Sequence, residues 1–209
     1  MALHIAFEKS ADSFIKKLVK ILAGPYVHTE IIISKPNEPH VAYSAYMSCC
    51  FAKTPQRDFC FGDSTHDFLS IPVSSEELDR IAKSCEACVR SKIPYNTHDM
   101  VFCQVPLRNP TENDLFNSPA LFCSQAVVLI LRACLDIDHD LHPHLSTVNS
   151  RTVSPSHLFD VLKTVCASSS AQQALCHRSA HGATPPFALA AACTPLSHDP
   201  PSRSPLESP

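Results

Sequence analysis

Residues 117–128, Asn-Ser-Pro-Ala-Leu-Phe-Cys-Ser-Gln-Ala-Val-Val, predict the start of a buried helix with a cysteine near its beginning. Ser118 can accept a hydrogen bond from the free amides of a first helical turn, and Pro119 suits the position after a cap. Apolar residues then recur at helical spacing as far as Cys134. Because the partial positive charge of a helix N-terminus favours a thiolate, Cys123 is a candidate nucleophile. The alternative is that Cys123 is a small core residue.

The composition excludes several classes of function. A chain of 209 residues is long enough for one domain with a full core, or for a domain and a tail. A net charge of −3, with no basic block, argues against nucleic-acid binding through phosphate neutralisation. Three scattered glycines exclude the glycine-rich loops that bind nucleotides. We therefore expect no cofactor.

Cysteine usage and hydropathy indicate a compartment. The first residues lack the basic start and apolar core of a signal peptide, and the longest apolar run, near 126–131, is too short to span a bilayer. Eleven cysteines, an odd number, are more typical of reduced thiols than of a disulfide framework. These features predict a cytoplasmic protein.

Periodicity predicts an α+β domain that ends near residue 166. Predicted strands cover residues 3–7, 26–33, 40–46 and 67–73; predicted helices cover 12–23, 74–91, 117–135 and 155–162; residues 47–66 and 92–117 are expected to be irregular. Ser74 and Glu77 form a capping box for the second helix. Residues 167–209 consist mainly of Ala, Pro and Ser, a composition that predicts a disordered tail.

The first predicted helix is amphipathic. Its apolar side, expected to face the core, contains Phe14, Ile15, Leu18, Val19 and Leu22. Lys16, Lys17 and Lys20 lie largely on the other side. A solvated basic face is the simpler interpretation, and a peripheral contact with an anionic membrane surface is the alternative.

Two clusters invite a metal interpretation. Cys85 and Cys88 form a CxxC pair that could bind zinc with His98 or Cys103. A structural zinc site usually has two ligand pairs, whereas here one pair lies inside a helical pattern, so we expect no metal. Residues 136–144 contain three aspartates and three histidines, but their spacing implies no fixed ligand geometry, and a solvated loop is the favoured interpretation.

A second catalytic candidate precedes Cys123 by almost a hundred residues. The segment 26–33, Tyr-Val-His-Thr-Glu-Ile-Ile-Ile, is rich in β-branched residues and predicts a central strand. His28 and Glu30 would share one face of it, because side chains alternate along a strand. An imidazole beside a cysteine at a helix start is the minimal apparatus of a thiol nucleophile, and backbone amides at the helix start, around Phe122 and Ser124, can hold an oxyanion.

This order of histidine before cysteine, with several short motifs, makes the chain resemble the circularly permuted NlpC/P60 superfamily of papain-like hydrolases. The likeness is greatest to its YiiX-like and poxviral groups, and it extends over most of residues 3–163. The motifs in order are His-Thr-Glu-Ile at 28–31, Tyr-Ser-Ala at 43–45, Asp-Phe-Leu-Ser-Ile-Pro-Val at 67–73, Pro-Tyr-Asn at 94–96, Leu-Phe-Cys-Ser-Gln-Ala-Val at 121–127 and Ser-Pro-Ser-His-Leu at 154–158.

The resemblance implies a permuted papain-like fold, with an antiparallel sheet packed against helices, and a cysteine hydrolase or acyltransferase. Cys123 would be the nucleophile, His28 the base and Glu30 the third member, with His40 as the alternative third member. Gln125 stands where the family usually has an acidic residue, and Asn96 where it has an aspartate.

The substrate would be a peptide, isopeptide or lipid acyl group, which leaves the bond and the oligomeric state open. The family's phage and viral members extend the expected location to a host cytoplasm or a virion. A catalytically silent binding or virion-associated module that keeps the fold is the competing hypothesis.

Overall fold

The structure is a computed structural model that describes residues 2–47, 50–56, 64–102 and 120–168, and five strands in these ranges form one antiparallel sheet in the order β4-β3-β2-β1-β5. The strands are β1 (Ala2–Glu8), β2 (His28–Ser34), β3 (His40–Ala45), β4 (Phe51–Gln56) and β5 (His66–Ile71). The interior strand β1 pairs with the central strand β2, from Ala2 opposite Ser34 to Glu8 opposite His28. The register therefore places His28 at one end of the sheet, where β1 ends and β2 begins.

Six helices lie within the same ranges, and four of them have ten or more residues. They are α1 (Phe14–Ala23), α2 (Ser75–Arg90), α3 (Thr97–Phe102), α4 (Cys123–Cys134), α5 (His142–Thr147) and α6 (Pro155–Ser168). The predicted capping box is confirmed: Ser74 Oγ accepts from the amide of Glu77, and the Glu77 carboxylate accepts from the amide of Ser74. The Glu77 carboxylate also accepts from the amide of Asp136, so this cap joins α2 to the end of α4.

The main core lies between one face of the sheet and helices α2, α4 and α6. Alternate residues of β1, Leu3, Ile5 and Phe7, point into it and are fully buried. The opposite face of the sheet carries a small apolar cluster around Ile32 together with polar residues. Almost every residue of α4 is buried, which agrees with its nearly continuous apolar sequence. The first residue of α4, Cys123, is thus positioned by a rigid core element.

The described ranges contain three short elements that periodicity did not predict. Strand β4 and helix α3 lie in segments expected to be irregular, and α5 begins inside the segment 136–144, which was expected to be a solvated loop. The two helices have six residues each, too few for a helical pattern to be distinguished from coil, and the β4 sequence Phe-Ala-Lys-Thr-Pro-Gln contains a proline, which is uncommon inside a strand. Strand β4 is held by its pairing with β3, a contact between separate parts of the chain.

Helix α1 begins and ends near the predicted positions but is oriented differently. Ser13 caps it, and Gly24 ends it with a φ of 97°; a β-carbon there would lie 2.7 Å from Ser156 Oγ. Of the apolar side chains expected to face the core, Val19 is buried, whereas Phe14 is 81% exposed and Leu22 is 48% exposed. The expectation of an inward apolar face is therefore wrong for these two residues.

The described part of the chain ends within the region of the predicted domain boundary. Helix α6 runs to Ser168, just beyond the predicted boundary at residue 166. The rest of the predicted tail, residues 169–209, lies outside the described residues. None of the helices in the described ranges combines the length and apolar character needed to cross a lipid bilayer.

Candidate active site

Cys123 is the first residue of α4. Phe122 is the N-cap residue, with extended backbone (φ −104°, ψ 169°) and no side-chain capping bond. The segment before it is also extended, because the Leu121 amide donates to the Pro94 carbonyl and the Leu121 carbonyl accepts from the Asn96 amide. The predicted helix start near 118–119 is therefore wrong, and those two residues lie outside the described ranges. The later start places the thiol at the positive end of the helix.

His28 and Glu30 lie side by side at the start of β2, as strand alternation predicts. His28 Nε2 is 3.5 Å from Glu30 Oε1, with the two side chains only 14% and 10% exposed. The contact has ion-pair distance, but Nε2 makes no hydrogen bond of normal geometry with any described residue. Catalytic hydrogen bonds are often loose before substrate binds, so this arrangement suits a histidine oriented by a carboxylate.

The thiol of Cys123 and the imidazole of His28 shift each other's ionisation. Burial opposes a charge on either group, but the contact between them outweighs it: His28 lowers the pKa of Cys123, while Cys123 and then Glu30 raise the pKa of His28. The backbone amides of Thr29 and Ser124 also stabilise the thiolate. Both shifts favour a thiolate–imidazolium pair at neutral pH.

Tyr46 completes the group and was not singled out from the sequence. Its hydroxyl donates to Glu30 Oε1 at 2.6 Å, and its ring centroid lies 5.2 Å from that of His28. Extending the β2–β3 register, in which Ile31 faces Tyr43, places Tyr46 opposite His28. The hydrogen bond from Tyr46, after that of His28, lowers the pKa of Glu30 against the effect of burial. A tyrosine at the end of the predicted partner strand, residues 40–46, was the only available signal.

The alternative third member, His40, does not lie at this site. It begins β3, and because β3 runs antiparallel to β2, His40 lies near Ser34 at the opposite end of β2 from His28. Along a strand, six residues span roughly 20 Å. His40 instead acts on His4, whose pKa is lowered by burial and by this neighbouring imidazole. The structure therefore places Glu30, and not His40, beside His28.

The side chains of Phe122 and Ser124, the residues expected to hold an oxyanion, both make contacts in the core. Phe122 packs with Val19 and Met100, so only its backbone faces the helix start. Ser124 Oγ donates to the Val153 carbonyl at 2.7 Å, which commits its hydroxyl to the core and leaves its backbone amide toward Cys123. Gln125 is buried, and its Oε1 has no hydrogen-bond partner among the described residues. The oxyanion role of the backbone at Phe122 and Ser124 stays a prediction.

The CxxC pair is part of the core. Cys85 and Cys88 are fully buried on α2, and burial, followed by the neighbouring Cys134 thiol, raises the pKa of Cys88 to about 11. His98 is exposed on α3, and Cys103 lies outside the described residues. Over the described ranges, no three His, Cys, Asp or Glu side chains are arranged to hold a metal ion.

The polar segment 136–144 makes structural contacts. Asp136 pairs with Arg80 at 2.6 Å, and His139 accepts from the Leu141 amide at Nδ1 while Nε2 lies 2.9 Å from the Pro72 carbonyl. Accepting at Nδ1 leaves Nε2 as the protonated nitrogen, so His139 donates to Pro72. This histidine ties the segment to the end of β5.

No model of a known protein family matches the chain, and no curated protein is significantly similar to it. The geometry of the site therefore carries the functional argument.

Proposed function

We propose that the protein is a cysteine-dependent hydrolase or acyltransferase, with Cys123 as nucleophile, His28 as general base and acid, and Glu30 as the residue that orients His28. The observation that carries this proposal is the arrangement around Cys123: the thiol is buried at the first residue of α4, His28 lowers its pKa, and Glu30 Oε1 lies 3.5 Å from His28 Nε2. The permuted NlpC/P60-like fold is part of the proposal: its motif order agrees with an α+β architecture in which an antiparallel sheet packs against helices.

The first half-reaction forms a thioester. The Cys123 thiolate attacks the carbonyl carbon of an amide or ester, a C–S bond forms, and the carbonyl electron pair moves to oxygen. Backbone amides at the start of α4 would stabilise this oxyanion. When the oxyanion collapses, the bond to the leaving amine or alcohol breaks, and the leaving group takes the proton of the His28 imidazolium.

The second half-reaction regenerates the thiolate. Neutral His28 removes a proton from water, the resulting hydroxide attacks the thioester carbonyl, and the C–S bond breaks to release a carboxylic acid. An alcohol or amine in place of water would make the same site an acyltransferase. Glu30 favours the protonated form of His28 in both steps, and the Tyr46 hydrogen bond keeps that carboxylate in place.

Thiol labelling tests the proposal directly. The full chain is treated with iodoacetamide at neutral pH, and labelled cysteines are identified by mass spectrometry over time. We expect Cys123 to react fastest among the cysteines of the described residues, and this labelling to vanish in Cys123→Ala. The matched control is Cys88→Ala, which should leave the Cys123 rate unchanged. If Cys123 reacts no faster than Cys88, the site is a silent binding module and the proposal is wrong.

A trapped intermediate then identifies the reaction class. A water-soluble activated acyl ester should leave its acyl group on Cys123, visible as a mass increase of the intact protein that hydroxylamine removes. No such adduct should form on Cys123→Ala or His28→Asn. An adduct equally present on Cys123→Ala would contradict the assignment of the nucleophile.

A further inference from the structure

Helix α1 presents an apolar ridge to solvent. Phe14 and Ile21 lie two helical turns apart on one side and are 81% and 80% exposed, with Leu22 beside them at 48%. Their opposite side contains Val19, which is buried. Part of the apolar surface of α1 thus faces solvent, at Phe14, Ile21 and Leu22, while Val19 packs inward.

Lysines border this ridge on one side. Lys17 and Lys20 are exposed, and Lys20 donates to the Lys9 carbonyl at 3.2 Å, which leaves its charge uncompensated. Lys17 makes no ion pair with any residue of the described ranges. Lys16, by contrast, is neutralised by Glu8 at 2.8 Å and Asp12 at 3.1 Å. The ridge therefore combines bulky apolar side chains with two available positive charges, the combination by which interfacial helices bind anionic bilayers.

The inner side of α1 rests on the candidate active site. Val19 packs against Phe122, the residue immediately before Cys123. Lys16 pairs with Glu8, which lies opposite His28 in the β1–β2 register. An α-helix with its side chains is about 10–12 Å across, so the ridge lies about one helix diameter from Phe122, the residue before the nucleophile.

From this geometry we infer that α1 is an interfacial helix that seats the domain on an anionic lipid bilayer, with Phe14, Ile21 and Leu22 inserted between the lipids. The ridge binds a lipid surface because the positive charges of the lysines beside it complement anionic headgroups. This placement brings the candidate active site to the membrane and points to an acyl ester or amide of a membrane lipid as its substrate, a conclusion that rests on the proposed function.

Vesicle sedimentation tests the docking without any assay of catalysis. The full chain is mixed with vesicles of phosphatidylcholine alone or of phosphatidylcholine with phosphatidylserine. Wild-type protein should pellet with the second kind and less with the first. Phe14→Ser with Ile21→Ser should weaken binding roughly tenfold or more, because two large apolar side chains no longer leave water. Lys17→Glu with Lys20→Glu should weaken binding to the anionic vesicles by about tenfold.

Matched controls separate the ridge from general surface effects. Ile137, 82% exposed on the segment after α4, gives the apolar control Ile137→Ser, and exposed Lys83 on α2 gives the charge control Lys83→Glu. Both should bind like wild type. If the double serine variant unfolds, Ile21→Ser alone replaces it and should show a smaller loss in the same direction.

Several results would overturn the inference. The inference is wrong if wild type remains in the supernatant with both kinds of vesicle, or if the double serine variant pellets as well as wild type. Light scattering that shows a dimer lost on Phe14→Ser with Ile21→Ser, without vesicle binding, would assign the ridge to a second copy of the chain. Cross-links from α1 to residues 169–209, again without vesicle binding, would assign it to that segment. Because Cys123→Ala should pellet like wild type, vesicle docking and thiol chemistry can fail independently.

Discussion

Cys123 and Cys85 are the same residue type at nearly the same burial, 2% and 0% exposed, yet their ionisation shifts in opposite directions. Burial raises the pKa of both thiols. At Cys85 every neighbouring charged or ionisable group adds to that increase: Cys88, Cys134 and Glu86 all disfavour a second negative charge. At Cys123, His28 outweighs the effect of burial and lowers the pKa of the thiol.

The difference lies in the elements that surround each thiol. Cys85 sits in the middle of α2, where the backbone amides are used in the helix and the neighbours are thiols and hydrocarbon. Cys123 sits at the first residue of α4, next to free amides and to the start of a strand that carries His28. A buried cysteine is inert by default, and it becomes a nucleophile only where the fold supplies a cation and amide donors.

The largest expected effect comes from removing that cation. His28→Asn leaves Cys123 as a buried thiol with no positive partner, which is the situation of Cys85. Its pKa should rise above the ordinary value of about 8.5, and the rate of iodoacetamide labelling at neutral pH should fall by roughly a hundredfold or more. The midpoint of the pH dependence of the labelling rate should also move to higher pH. An unchanged midpoint would mean that His28 does not control the thiol.

Glu30→Gln should have the next largest effect. It removes the carboxylate that favours imidazolium, so the pKa of His28 should fall and the thiolate–imidazolium pair should become less populated. We expect roughly a tenfold decrease in the Cys123 labelling rate at neutral pH. His40→Gln is the control, because His40 lies at the far end of β2 and its loss should leave the rate unchanged. Equal effects of the two variants would contradict the assignment of the third member.

Tyr46→Phe should lower the Cys123 labelling rate by a few-fold. Without the hydroxyl that donates at 2.6 Å, the pKa of Glu30 should rise, since one of the hydrogen bonds that lowers it is gone. Below this raised pKa, Glu30 is protonated and no longer favours the imidazolium form of His28. Labelling of Cys123 should therefore weaken mainly on the acidic side of its pH profile. A uniform decrease across pH would instead indicate a packing role for the Tyr46 ring beside His28.

Cys85→Ala should leave Cys123 labelling unchanged and alter only stability. Removing a fully buried sulfur should lower the free energy of unfolding by about 1 kcal/mol, measured by urea denaturation near neutral pH. The wild-type free energy should also fall as pH rises above about 8.5, because the unfolded chain releases thiol protons that the folded Cys85 and Cys88 retain. The alanine variant should show a shallower decline. A steeper one would mean that Cys85 is ionised in the folded protein.

Much of the fold was predictable from local patterns. The capping box at Ser74 and Glu77 and the strong β-propensity of residues 26–33 correctly placed α2 and β2. Strand β4 and helix α3 were not predicted, because their short sequences carry no periodicity of their own and depend on partners elsewhere in the chain. The start of α4 was misplaced because contacts of Leu121 with the segment near Pro94 hold the preceding residues extended.

The candidate site divides in the same way. His28 and Glu30 share a face through strand alternation alone, and Cys123 near a helix start followed from the apolar pattern after it. Tyr46 could not be assigned from the sequence, because its place opposite His28 depends on the β2–β3 register. The same register removed His40 from consideration. Antiparallel pairing decides which residues of two strands meet, and no local propensity encodes it.

The amino-acid sequence by itself determined which segments could become helices and strands, and which residue types could perform thiol chemistry, because these follow from side-chain shape and spacing. Only the tertiary structure decided that Cys123 has a cationic partner while Cys85 has none, since that depends on which element ends beside each thiol. It also decided that Phe14, Ile21 and Leu22 of α1 face solvent. Amphipathicity defines two faces of a helix, but the packing of Val19 against Phe122 selects which face meets the core.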